Sequence, residues 1–307
     1  MVHRVGRRER GRLKMRSRIL KSLIVATCLG SPSALVAGGE DVISEFISKA
    51  RPMVDACSRA ASAIDLSVDQ LGDLAFRDTG KFVLVNIAAG SLVAYENGIP
   101  VMEMDAIVGK PEHETPEFDT EITSVRLNPT WTVPWSIVRE EDWLERLETD
   151  PDFFRRNRFE IRDGDGDLMS LDEAAADPHR VRKFIQAPGR YNALGKFRFN
   201  IGSSQAIYLH DTRNRENFYD GSPITLSHGC VRIEKPLSFA AWLLERSESE
   251  ITAMTRDGWT RDISLGTDVP IIMDYFTAWP NSAGELMIYD DIYDKEKPAC
   301  RRPEEKS

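Results

Sequence analysis

At Lys81 the hydrophobic period of the chain changes, and that change restricts the fold more than any other feature. In "KFVLVNIAAGSLVAYENGIPVMEMDAIVGK", residues 81–110, strand-like runs cover Phe82–Ile87, Leu92–Tyr95 and Val101–Val108. Asn97-Gly98 supplies a hairpin turn, because both residues tolerate positive φ. Extended patterns continue at Leu127–Val133, interrupted by Pro129 and closed by Pro134, and return at Phe197–Ile201, Ala206–Leu209 and Val269–Tyr293. Upstream, residues 41–75 keep a helical period through Val42, Phe46, Ile47, Val54, Ala60, Ile64 and Leu71. Pro236–Arg246 reads as one more helix, with Pro in its first turn. Many short strands with turn signals predict one mainly β domain over residues 80–295, a sandwich or partly closed barrel, preceded by a helical segment at 38–79 and α+β by content.

Residues 136–186 break the β pattern. They are polar, charged and rich in turns, with Ser136 as an N-cap candidate and acids in the first turns that follow. We expect an inserted α/loop lid over one mouth of the β domain, more mobile than its strands. "DGDGDL", 163–168, superficially suggests a calcium loop, but Leu168 replaces the required Gly and Ala174 the required Glu, so a solvated hairpin tip is expected. Residues 296–307 read as a flexible tail.

The first residues have another character. Residues 1–37 carry nine Lys or Arg and one Glu, then the uncharged run Ser22–Ala37. A basic start, a short apolar stretch and small residues describe a secretory signal peptide, with Met15 as the more typical start and cleavage after Ala37 or Gly38. The alternative is a retained membrane anchor; the lipoprotein and twin-arginine patterns fit poorly. Without residues 1–37 the chain keeps 31 basic and 48 acidic side chains, a net charge of −17. Such a surface repels phosphate backbones and argues against nucleic acid as partner.

"SHGCVR", Ser227–Arg232, holds the candidate chemistry. A thiolate is the reactive form of cysteine, and Cys230 needs a neighbouring base or cation to form it near neutral pH. A Cys with a His whose ring a third group orients suits acyl transfer, with backbone N–H groups at the oxyanion. Gly229 lets the backbone approach a substrate closely. His228 is near in sequence; His210, at the end of the strand pattern in "AIYLHDT", is the other candidate base, followed directly by Asp211.

His210, sixteen residues, then Ser227-His228-Gly229-Cys230 resembles the signature of the L,D-transpeptidase (YkuD) catalytic domain family. "FVLVNIAAGSLVAYENG", "VGKPEHETPEF", "LNPTWTVPWSIV", "PGRYNALGKFRF", "YFTAW" and "YDDIY" resemble further segments of its longer periplasmic members, over residues 80–294. Those members also carry upstream peptidoglycan-binding and scaffold domains; with about forty residues in that place here, we expect those modules to be absent or vestigial. The resemblance implies a β sandwich or partly closed barrel of the YkuD type. It implies Cys230 as nucleophile, acylated by a peptidoglycan stem tetrapeptide with loss of D-Ala and resolved by the amine of a second stem. His210 would be the general base, oriented through Asp211, with N–H groups of Gly229 and Cys230 at the oxyanion. Ser227 and His228 would line the substrate site, with Arg232 on a substrate carboxylate. Read from the residues alone, Trp131 either floors a substrate groove or packs in the core, and Tyr208, which alternates with His210, is wall or core. No cofactor or metal is implied, carbapenems would acylate Cys230, and the protein would act in the periplasm or cell envelope. The linkage, 3→3 or 1→3, stays open, as do lipoprotein attachment and exchange of the terminal D-amino acid.

Rival readings remain. Water in place of the amine would make the same site a peptidoglycan amide hydrolase or carboxypeptidase, and a degenerate domain would only bind the wall. A zinc site would need Cys230 with two or three of His179, His210 and His228, without paired spacing to support it. His113 and His179 read as solvated loop residues. With Cys28 cleaved and Cys230 kept reduced, Cys57 and Cys300 form the remaining intramolecular pair, unless the fold holds them too far apart.

Overall fold

The computed structural model describes residues 39–71, 79–202, 207–221, 224–281 and 284–300. The expected signal peptide, 1–37, lies outside the described residues. Eight strands close into a ring: β1 (Lys81–Asn86), β2 (Ser91–Glu96), β3 (Ile99–Gly109), β4 (Phe118–Leu127), β9 (Phe197–Ile201), β10 (Leu209–His210), β12 (Val231–Ile233) and β13 (Arg261–Asp274). The order is β3-β12-β10-β9-β4-β13-β1-β2, and β2 pairs back onto β3. The mainly β expectation therefore holds, in its barrel form. Asn97 and Gly98 both take positive φ, 51° and 72°, at the β2–β3 turn, as the sequence predicts.

Strand alternation decides what fills the barrel. Val83 and Val85 of β1 join Val125, Phe199, Leu209, Val231, Ile233 and Ile271 inside it, where α7 (Pro236–Leu244) adds Phe239 and Ala240. Phe82 and Leu84 point the other way, onto α1 (Gly39–Ala50) and α2 (Arg59–Leu71) through Ile43, Ile47, Ile64 and Leu71. Two covered faces explain why β1 reads as an unbroken apolar run. A ribbon of β14 (Ala278–Pro280) and β15 (Leu286–Ile288) closes this second layer with Trp279 and Leu286.

Two expectations need correction. Residues 296–300 are not frayed: Cys300 is disulfide-bonded to Cys57, with Cα atoms 5.1 Å apart, and Ala299 N–H donates to Ser62 Oγ at 3.0 Å. The insertion is more than an α/loop lid. It has its own four-stranded sheet, ordered β5 (Trp131–Thr132), β8 (Lys183–Gln186), β6 (Phe159–Arg162) and β7 (Leu168–Met169). Four short helices, α3 (Trp135–Glu140), α4 (Trp143–Thr149), α5 (Asp152–Arg156) and α6 (Leu171–Ala176), cover it. Trp143, Leu147, Phe154, Ile161 and Phe184 form a separate apolar core. We call this body the cap. Ser136 does not cap a helix: α3 begins one residue earlier, after Pro134. The "DGDGDL" stretch is the β6–β7 hairpin tip, where Asp163 Oδ1 accepts the N–H groups of Asp165 and Asp167. Among the described residues, no helix is long and apolar enough to cross a membrane.

Candidate active site

The Ser227–Cys230 turn joins two strands that both depend on β3. Before it, β11 (Thr225–Ser227) pairs parallel with the last residues of β3, Val108 and Gly109. After it, β12 runs antiparallel to β3, with Arg232 opposite Ile107. The turn thus crosses the end of β3 at the barrel rim. Ser227 holds it shut: its buried hydroxyl donates to the Cys230 carbonyl at 2.5 Å and accepts the Gly229 N–H at 3.1 Å. Gly229 has φ +102°, and a Cβ there would stand 3.1 Å from Ile207 Cδ1, so the position requires glycine. From below, Thr115 Oγ1 donates to the Gly229 carbonyl at 2.9 Å. Ser227 therefore serves the turn rather than facing a pocket, and the Gly229 amide, expected at the oxyanion, is held by that hydroxyl.

Strand register gathers the charged side chains. Leu209 pairs with Val231 and His210 with Arg232; across the other edge of β10, His210 pairs with Arg198. Arg198 in turn pairs with Arg126 of β4, opposite Asp262 of β13. Paired residues share a face, and residues two apart share it too. Leu209, Val231 and Phe199 fill the barrel, so His210, Arg232, Arg198 and Arg126 line its outer face, together with Tyr208 and Cys230. Arg126 and Asp262 are ion-paired, Arg198 Nε donates to Asn200 Oδ1 at 2.9 Å, and the Arg198 guanidinium lies 4.5 Å from the Tyr208 ring centre.

His210 is buried, and its Nδ1 is hydrogen-bonded to the backbone carbonyl of Asp211. A carbonyl only accepts, so Nδ1 carries the proton and Nε2 is left as the basic nitrogen. Burial, then the nearby Arg232 charge, pulls this imidazole down to about 3, so it is neutral. The Asp211 carboxylate does something else. It accepts the N–H groups of Lys196 (2.8 Å) and Thr212 (2.7 Å) and pairs with Arg215 at 2.9 Å. A Cβ on Gly195, φ +62°, would come within 2.3 Å of that carboxylate. Asp211 thus touches His210 through its main chain alone.

Among the described residues Cys230 is the cysteine outside the disulfide, and it keeps partial exposure. Its thiol is nevertheless well desolvated, which pushes it up, while a backbone hydrogen bond from Tyr208 and the charges of Arg232 and Arg198 pull the other way. Arg232 and Arg198 are themselves lowered by burial. A groove of about 660 Å³ opens one residue past His210, lined among others by Asp211, Thr212, Arg158, Arg190, Lys196 and Arg213.

The remaining expected residues fall elsewhere. Of the two readings of Trp131, the fold favours packing: its ring lies edge-on to Trp143, centroids 6.4 Å apart, partly buried against the cap core. His179 is exposed on the cap, in the short turn Pro178–Arg180. His228 turns to the cap, with Nε2 3.1 Å from Glu140 Oε2, and His113, read as a solvated loop residue, sets its Nε2 against the same carboxylate. Thr115, Glu140 and Arg198 were not singled out from the sequence. Only Arg198 left a signal, as the polar residue alternating with Phe197 and Phe199.

The L,D-transpeptidase catalytic domain family (YkuD) matches residues 80–271. A curated protein of Haemophilus influenzae, provisionally named an L,D-transpeptidase, is 34% identical over 220 residues, 69% of this chain and 44% of that protein. The chain thus spans less than half the length of that relative. Among solved structures, an L,D-transpeptidase from Mycobacterium smegmatis aligns at 16% identity and TM-score 0.32 over 64% of this chain and 59% of that one. The catalytic domain of an E. faecium L,D-transpeptidase acylated by ertapenem aligns at 14% and 0.32, over 64% and 99%.

Proposed function

Because the chain belongs to the L,D-transpeptidase catalytic domain family, we propose that it is a peptidoglycan L,D-transpeptidase working through a thioester on Cys230. The observation that carries this reading is the His210 ring. Fixed by the Asp211 carbonyl and neutral, it offers Nε2 as a base on the strand beside the nucleophile. In the proposed reaction His210 Nε2 takes the Cys230 proton, and Sγ attacks the carbonyl carbon of the stem's third residue. The C–N bond to D-Ala breaks and the proton returns to the departing amine. The amine of a second stem then displaces the thioester, leaving an amide cross-link and a free thiol.

Arg232 and Arg198 support the thiolate that forms between these steps, since both charges favour it. In this reading Tyr208 holds the thiol through its backbone, and the cationic groove receives the free carboxylates of a stem peptide. The uncharged run after a basic start, together with the Cys57–Cys300 bridge, supports export to the periplasm or cell envelope. The test is to incubate the protein with purified muropeptides and weigh the products. Cross-linked dimers are expected, and Cys230→Ala should make none. Trimmed monomers alone would establish the hydrolase, and products from Cys230→Ala would end the thioester mechanism. A carbapenem should add its mass to the protein and not to Cys230→Ala.

A further inference from the structure

Beside the thiol lies a second cluster that the proposed reaction does not use. His113 comes from the loop after β3, His228 from the catalytic turn, and Glu140 from the last residue of α3 in the cap. Both imidazole Nε2 atoms reach the one carboxylate: His113 at Oε1, His228 at Oε2, the latter at 3.1 Å. One donor atom from each of the three lies within 4.8 Å of the others, and the two rings are 5.1 Å apart. We propose that His113, Glu140 and His228 bind a divalent transition-metal ion, with Zn²⁺ the best match.

The donor set decides the ion. Two imidazoles and one carboxylate suit zinc, which takes three such ligands and leaves a fourth position open. Bonds of about 2.0–2.1 Å put tetrahedral donors roughly 3.4 Å apart. The two nitrogen–carboxylate edges are already that short, so only the nitrogen–nitrogen edge has to close, by side-chain rotation. Lys110 Nζ, 3.3 Å from Glu140 Oε2, now occupies the role of cation at this carboxylate. A metal ion would displace it. Since Glu140 belongs to the cap and His228 stands two residues before Cys230, metal would clamp the cap onto the catalytic turn.

The proposal concerns binding and holds whether or not the protein cross-links stems. It is tested by calorimetric titration of Zn²⁺ into the full chain carrying Cys28→Ala and Cys230→Ala, so that no thiol contributes. We expect one ion per chain with micromolar affinity, at least tenfold weaker binding in His113→Gln and in Glu140→Gln, and no change in His179→Gln. Lys110→Met should bind several-fold more tightly, because a competing positive charge is gone; a merely structural latch would gain nothing from that change. Zn²⁺ should also slow hydrogen exchange in residues 135–149 of the thiol-free protein. No saturable binding, or binding indifferent to both His113→Gln and Glu140→Gln, overturns the site.

Discussion

At His210, burial sets both the chemistry and an acid limit to stability. The ring is neutral in the fold, near 3, against about 6.5 in an unfolded chain. Unfolding therefore takes up a proton at any pH between these values. The stability this contributes is whole above pH 6.5 and is lost as the pH falls toward 3, by about 2 kcal/mol between pH 6.5 and 5. Urea unfolding of His210→Gln should show a shallower loss over that window than the wild type; equal slopes would mean that the imidazole is not buried neutral. Ser227 gives a second residue-scale expectation. Ser227→Ala removes both hydrogen bonds that shut the turn, so carbapenem acylation of Cys230 should slow at least tenfold, for a stability cost of only about 1–3 kcal/mol. Ser227→Thr keeps the hydroxyl and should recover most of the rate; if alanine acylates as fast as serine, the hydroxyl does not position the nucleophile. The contiguous Ser-His-Gly-Cys and the histidine sixteen residues earlier were legible because they are a sequence signature. Arg198, Thr115 and Glu140 were not, because strand pairing and cap docking bring them to the site from distant parts of the chain.

Element by element, the strands before residue 110 were readable because each carries its own alternation and turn. The cap was misread for the opposite reason. Its aromatic residues, Trp143, Phe153, Phe154, Phe159 and Phe184, have no common period, since two helices, α4 and α5, and two short strands, β6 and β8, supply one or two each. Each element taken alone looks polar; only their assembly is apolar. Trp143 stands at the centre, with ring centroids of Phe159 at 5.0 Å, Phe184 at 5.4 Å, and Phe153 and Phe154 at 5.7 Å. Trp143→Ala should therefore cost the cap about 3–5 kcal/mol. Because the barrel has its own core, hydrogen exchange should accelerate across residues 131–186 while Val83–Val85 stays protected. Loss of protection in both regions together would show that cap and barrel unfold as one unit. In the native protein the cap's interior should exchange slowly too, so any lid motion belongs to the cap as a body, hinged where it leaves the barrel.

For the whole molecule, the Cys57–Cys300 bridge ties the two ends of the described chain to one flank. Its residues are 243 apart in sequence, so nearly every barrel and cap contact lies inside the loop it closes. The helices α1 and α2 and the β14–β15 ribbon cover that flank with their own core, and Arg59 pairs with Glu296 across the same seam at 3.2 Å. Packing alone thus brings the two cysteines together, and the bond mainly restricts the unfolded chain. The chain-entropy treatment gives about 5 kcal/mol for a loop of this length, an upper figure. In a domain of this size that corresponds to roughly 10–20 °C in Tm. We expect the Cys57→Ser, Cys300→Ser double variant to melt lower by an amount up to that range while still taking a carbapenem on Cys230, because the barrel rim lies in the other layer. Denatured without reductant, a chain starting at Gly38 should titrate one thiol, and three after reduction. An unchanged Tm in the double variant, or three thiols before reduction, would remove the bridge from the account of stability and leave the second core to hold the flank alone.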